Sequence, residues 1–163
     1  MNDEANIVED TKLECSVAYF SNISFELESG HKLNQLSVAF KTFGNLNNEK
    51  SNAILICHAL TGDQYVTGYN PITKRDGWWS RMVGPGKPID TDKYFVICSN
   101  VLGGCAGTLG PKEYINNKKL SNGDKFPSIT IKDMVNTQNY LIDFLKIKKL
   151  FAVVGGSMGA MQA

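Results

Sequence analysis

Gly155-Gly156-Ser157-Met158-Gly159 sets a serine between small residues in the pattern G-x-S-x-G. The apolar run Leu150-Phe151-Ala152-Val153-Val154 precedes it, and Met158 to Ala163 can open a helix. A serine on a tight strand-to-helix turn holds a strained backbone, so its neighbours must be small, and its hydroxyl stands clear of the sheet as a nucleophile. Such a nucleophile needs two backbone N–H groups for the oxyanion that forms when it attacks a carbonyl. One is the amide of the next residue, Met158. The other must come from a loop after an earlier strand. His58-Ala59-Leu60-Thr61-Gly62 follows the apolar run ending at Cys57, and there the Leu60 amide is the best-placed donor, with Thr61 as its neighbour.

Other residues compete for chemical roles. His58 closes a buried strand, which favours a structural hydrogen-bonding role over that of a base, and His31 falls in a hairpin where it is exposed. Gly103-Gly104-Cys105-Ala106-Gly107 follows a strand but lacks the spacing of a dinucleotide or phosphate loop, so it reads as a packed active-site loop. Cys57, His58, Cys98 and Cys105 show no paired metal-ligand spacing, and no metal is expected. Trp78-Trp79 suits either the wall of a pocket or an anchor for a long loop.

The serine requires strands to carry it. Ala53 to Cys57, Tyr94 to Cys98 and Leu150 to Val154 are continuous apolar runs, the mark of strands buried on both faces in a parallel sheet. Phe25 to Glu28, the turn Ser29-Gly30 and the stretch Leu33 to Phe43 predict an antiparallel hairpin. Residues 58–92 show no sustained period. Thr130 and Asp133 imitate a capping box for a helix whose apolar face would hold Ile131, Met134, Val135, Gln138, Leu141, Ile142 and Leu145. Helix followed by parallel strand predicts an α/β class with helices on both faces. Residues 1–15 read as a polar, irregular tail and 16–163 as part of one α/β domain.

Composition narrows the class. The chain has 163 residues, 17 Lys+Arg against 16 Asp+Glu, and 42% hydrophobic residues. A net charge of +1 offers no footprint for nucleic acid or an anionic membrane. No apolar run reaches the roughly 18–20 residues of a membrane span. Residues 1–10 lack the basic and apolar regions of a secretory signal. Cys15, Cys57, Cys98 and Cys105 are too few for a disulfide scaffold. A cytoplasmic protein is expected.

The text as a whole resembles the N-terminal part of the homoserine O-acetyltransferases, acyltransferases with an α/β-hydrolase fold. The resemblance rests on Phe25 to Gly30, Ser51-Asn52-Ala53, His58 to Asp63 (HALTGD), Gly77-Trp78-Trp79, Val83 to Phe95 (VGPGKPIDTDKYF), Cys98 to Cys105 (CSNVLGGC), Asp133-Met134-Val135 and Val153 to Ala163 (VVGGSMGAMQA). It implies ping-pong acetyl transfer from acetyl-CoA to L-homoserine in methionine biosynthesis. Ser157 would be the nucleophile, with Met158 and Leu60 giving the oxyanion-hole amides. No cofactor beyond the acetyl-CoA substrate is implied, and a homodimer is compatible with it. Relatives that use a succinyl donor or a serine acceptor share these motifs, and an esterase or a non-catalytic product are further alternatives. Ala160 and Thr108-Leu109 depart from the family's usual Gly and Ser-Thr, so no hydroxyl contact can come from Leu109.

In that family the acid and histidine of the triad follow the serine in the chain, and here Ala163 stands six residues past Ser157. The expectation is an N-terminal fragment, inactive by itself, with an exposed apolar strand edge and an uncovered sheet face.

Overall fold

The computed structural model describes residues 4–112 and 125–163. Strands β1 (Glu4–Asp10), β2 (Cys15–Glu26), β3 (Lys32–Phe43), β4 (Ala53–Cys57), β9 (Phe95–Ser99) and β10 (Ala152–Gly155) form one sheet in the order β1-β2-β3-β9-β4-β10. Pairing is antiparallel from β1 through β3 to β9 and parallel from β9 through β4 to β10. Two-residue strands β5 (Tyr69–Asn70) with β6 (Arg75–Asp76), and β7 (Val83–Gly84) with β8 (Ile89–Asp90), punctuate the long connection after β4. Helices α1 (Ile131–Phe144) and α2 (Met158–Gln162) complete the described elements.

The continuous apolar strands are buried on both faces, as their text demands. Leu55 and Cys57 of β4 face the main core with Ile97 of β9 and with Leu141 and Ile142 of α1. Ile54 and Ile56 face the other way, against Val66, Val83 and Trp79 of the 58–92 connection. Loop text, not a second helix, therefore covers that face among the described residues.

Other readings shift as well. Residues expected to be an irregular tail supply β1, paired from Glu4↔Ser21 to Asp10↔Cys15. The strand is mostly exposed, Ile7 and Val8 included, so no apolar alternation marks it in the sequence, and the turn into β2 is made by the Asp10 carboxylate, which accepts the Lys12 and Leu13 amides at 2.9 Å each. With β1 joined, the antiparallel part is larger than one hairpin. The buried stripe of α1 is Asp133, Thr137, Gln138, Leu141 and Ile142, while Ile131, Met134 and Val135 are half-buried. The stripe turns toward polar residues because their groups find partners: Thr137 donates to the Asp133 carbonyl at 2.9 Å, and the Asp133 carboxylate closes the capping box and accepts the Glu28 amide at 2.9 Å. Aromatic edge contacts of Phe20 with Tyr140 and Phe144 seat the same helix on β2.

The last strand lies at the sheet edge. Phe151 and Val153 are 60% and 39% exposed, so the run Leu150 to Val154 is not buried throughout, and the apolar edge expected from the sequence is present. No helix among the described residues is long and apolar enough to cross a membrane.

Candidate active site

Strand β10 ends at Gly155 and α2 begins at Met158, with Ser157 between them at φ 57°, ψ −128°. A non-glycine residue in that region is strained by on the order of 1–3 kcal/mol and persists only where its surroundings fix it. Here the surroundings are backbone. A Cβ on Gly155 would overlap the Gly159 carbonyl, and one on Gly159 would overlap the Cys57 carbonyl. Strand, helix and the end of β4 thus meet where no side chain fits. Ser157 remains exposed.

Parallel pairing of Gly155 with Cys57 sets this turn beside the segment that follows β4. There Gly62 donates to the Ala59 carbonyl at 2.8 Å and closes a tight turn. Leu60 projects at 76% exposure. Neither the Leu60 nor the Met158 N–H has a protein acceptor among the described residues.

His58 is buried with both ring nitrogens engaged. Its Nε2 accepts the Val101 amide at 3.2 Å and lies 3.4 Å from Asn100 Nδ2. The ring proton is therefore on Nδ1, which donates to the Ala59 carbonyl at 2.7 Å. Burial holds the His58 pKa below its ordinary value, keeping the ring neutral. This is the structural role read from its position, with a specific object: the Ala59–Leu60 peptide.

A cavity of about 220 Å³ adjoins the turn, lined by Cys57, Ala59, Trp78, Trp79, Gly155 and Gly156. The two indoles stack at 5.7 Å, Trp79 packs on the core, and the Trp78 N–H donates to the Asp63 carbonyl at 2.9 Å. The tryptophans both wall the cavity and anchor their loop. Residues 103–107 do not line it. Gly103 and Gly107, at φ 81° and 100°, pack against Ile129 and against Leu13 and Ala39. The Thr108 hydroxyl bridges the Ala39 amide and the Asn100 carbonyl, and Leu109 is buried. His31 is exposed, and among the described residues no cluster of His, Cys, Asp or Glu could hold a metal. A larger cleft of about 720 Å³, bordered by Lys50, Lys146, Lys148, Lys149 and Phe151, lies at the opposite end of β4 and β10 from the serine.

Sequence reading passed over Asn100 and Asp63. Asn100 accepts the Ala106 amide as it meets His58. The Asp63 carboxylate accepts the Tyr65 amide at 3.0 Å and the Asn70 side chain at 2.8 Å, fixing the loop that carries the tryptophans. A polar residue directly after an apolar strand, as Asn100 is, was the available signal.

Comparison with known proteins agrees with this architecture. A family model described as alpha/beta hydrolase fold matches residues 52–163. The homoserine O-acetyltransferase of Pelagibacter ubique is 60% identical over 137 residues, which cover 84% of this chain and 37% of that protein. The crystal structure of homoserine O-acetyltransferase from Bacillus anthracis superposes with a TM-score of 0.75 at 32% identity, covering 99% of this chain and 41% of the other. That of esterase E22 superposes with a TM-score of 0.76 at 34% identity, covering 91% and 42%. The chain spans less than half the length of the relatives it matches.

Proposed function

The chain belongs to the alpha/beta hydrolase family, and from that membership we propose that it carries the nucleophile region of a homoserine O-acetyltransferase. The observation that carries the reading is the strained, exposed Ser157 turn with two unclaimed amides beside it. The 60% identity to a protein of that name supports the choice of acyl transfer.

In this reading the Ser157 hydroxyl attacks the thioester carbonyl of acetyl-CoA, and the Leu60 and Met158 N–H groups hold the resulting oxyanion. The C–S bond breaks, CoA leaves with a proton, and acetyl-Ser157 remains. The hydroxyl of L-homoserine then attacks that ester, giving O-acetyl-L-homoserine and the free serine. Ser157 must pass its proton to a general base. His58 is not that base, because both its nitrogens are engaged; in the family that the sequence resembles, the role belongs to a histidine that follows the nucleophile. The place of action is the cytoplasm, in methionine biosynthesis.

The test is acetyl transfer by the protein that carries this sequence. Acetyl-CoA alone should give an acetyl adduct on Ser157, L-homoserine should discharge it, and Ser157→Ala should abolish both. The likeness to esterase E22 favours a second reading, ester hydrolysis. An adduct discharged by water as fast as by homoserine would select it.

A further inference from the structure

A buried chain of hydrogen bonds joins β4, α1 and α2, and the acyl-transfer steps make no direct use of it. The Cys57 thiol donates to Gln138 Oε1 at 3.7 Å, Gln138 Nε2 donates to Gln162 Oε1 at 2.7 Å, and Gln162 Nε2 donates to the Met158 carbonyl at 3.2 Å. Cys57, Gln138 and Gln162 are 1%, 3% and 6% exposed. The chain has one direction. A carbonyl can only accept, so Gln162 must turn its NH₂ to Met158 and its oxygen to Gln138. Gln138 must then offer its own NH₂, which leaves its oxygen to the thiol. Burial pushes the Cys57 thiol up to about 11, so it keeps the proton it donates.

Apolar side chains would fill this space equally well, and two amides accept only one arrangement of the elements around them. The turn before α2 needs such a constraint. Helix α2 has five residues, and it approaches β4 through Gly159, which interlocks no side chain. Because any Cβ there would overlap the Cys57 carbonyl, Gly159 must face β4, which sets the rotation of α2 coarsely. The Gln162–Gln138 bond fixes that rotation more finely.

We propose that Gln138 and Gln162 are positioning residues that set the rotation of α2, and with it the placement of the Met158 N–H and the Ser157 hydroxyl for acylation. The inference rests on the reading of Ser157 as the nucleophile.

The test uses the protein that carries this sequence, with acetyl-CoA as the probe, and follows the first burst of CoA release together with the acetyl adduct by mass. Variants Q138M and Q162M each leave one buried amide without its partner, while Q138M/Q162M makes the contact apolar. Each single variant should slow acylation on the order of 10- to 10²-fold, with the KM for acetyl-CoA changed by less than about twofold, the split expected when uniform substrate binding is intact. The double variant should regain the parental melting temperature and keep the slow acylation. Acylation that recovers with the melting temperature, or never falls, overturns the positioning role.

Gln162→Glu gives an independent reading, because a carboxylate accepts from Gln138 but only the protonated acid donates to the Met158 carbonyl. Its acylation rate relative to the parent should fall as pH rises through the ionisation of that carboxyl; a flat ratio overturns the proposal. An adduct that persists in S157A removes the nucleophile reading and this inference with it. Loss of the adduct in S157A with parental rates in the glutamine variants overturns this inference alone.

Discussion

Replacing His58 separates two jobs that one ring performs. Its Nδ1–H holds the Ala59 carbonyl, and its Nε2 accepts the Val101 amide. In H58N the side-chain NH₂ stands near the place of Nδ1, so the bond to Ala59 survives and the buried Val101 N–H loses its acceptor. An orphaned buried donor costs about 1–3 kcal/mol. In H58Q the side-chain oxygen reaches the place of Nε2 and keeps Val101 satisfied, while the Ala59 carbonyl retains only the Gly62 amide. That variant should lose a net hydrogen bond, about 0.5–1.5 kcal/mol. The more stable variant should nonetheless be the poorer catalyst. The Ala59 carbonyl and the Leu60 N–H are the two ends of one peptide plane, so a carbonyl held once instead of twice lets the proposed oxyanion donor swing. The ceiling on that loss is the value of one oxyanion-hole donor, about 10²–10³ in rate. Urea midpoints of the protein that carries this sequence would rank stability as parent, H58Q, H58N, and acylation by acetyl-CoA would rank as parent, H58N, H58Q. Acylation that follows stability across the three would refute the orienting role.

The same ring predicts a pH dependence. Burial depresses the folded-state pKa of His58 below the ordinary 6.5, while the unfolded chain takes up its proton near that value. Below 6.5 the unfolded state binds more protons, so stability present above that pH declines as pH falls, until pH passes the folded pKa. H58Q should lack this part of the slope. Equal slopes for parent and H58Q between pH 7 and 5 would refute the neutral, Nδ1-protonated assignment.

Gly159 and Gly156, on either side of Ser157, should differ in their tolerance of a side chain. Gly159→Ala places a methyl on the Cys57 carbonyl and should cost at least the about 1–3 kcal/mol of an overpacked site, with loss of acylation. Gly156→Ala meets nothing within 4 Å and lies outside the left-handed region, so its melting temperature should match the parent within about 0.5 kcal/mol of stability. Asp133→Ala removes the capping box of α1 and orphans the Glu28 amide, and its urea midpoint should report a loss of about 1–3 kcal/mol. Parental stability in Asp133→Ala would show that packing of the buried face seats the helix without the cap.

Legibility in the sequence tracked how local each requirement is. Gly155 and Gly159 announce the turn because their own backbone positions exclude a Cβ, and Thr130 with Asp133 announces a helix start because a cap is closed within four residues. Strands β4 and β9 were visible because burial on both faces erases alternation from their own text. Where a residue's role is set by a distant partner, the text is silent. Glu28 and Asp133 are 105 residues apart, and Cys57 and Gln138 are 81 apart. The expected face of α1 holds at Gln138, Leu141 and Ile142 and shifts in its first turns for that reason: hydropathy ranks Ile131 and Val135 above Asp133 and Thr137, and only the partners of the polar pair reverse the order.

His58 shows where this boundary runs within one residue. That it is buried follows from the strand it closes, and that its use is structural follows from its place in the chain. Its tautomer follows from neither. The proton sits on Nδ1 because the Val101 amide points at Nε2, and that amide is there because β9 pairs with β4 in parallel, Ile56 opposite Cys98, so that the two strands release their next residues side by side. The Leu60 N–H, proposed as an oxyanion donor, is then oriented by a proton whose location is a property of strand pairing. A substitution that disturbs the exit of β9, at Asn100 or Val101, should reach Leu60 without touching it, and the ring nitrogens of His58, read by ¹⁵N NMR, should report the change before the activity does.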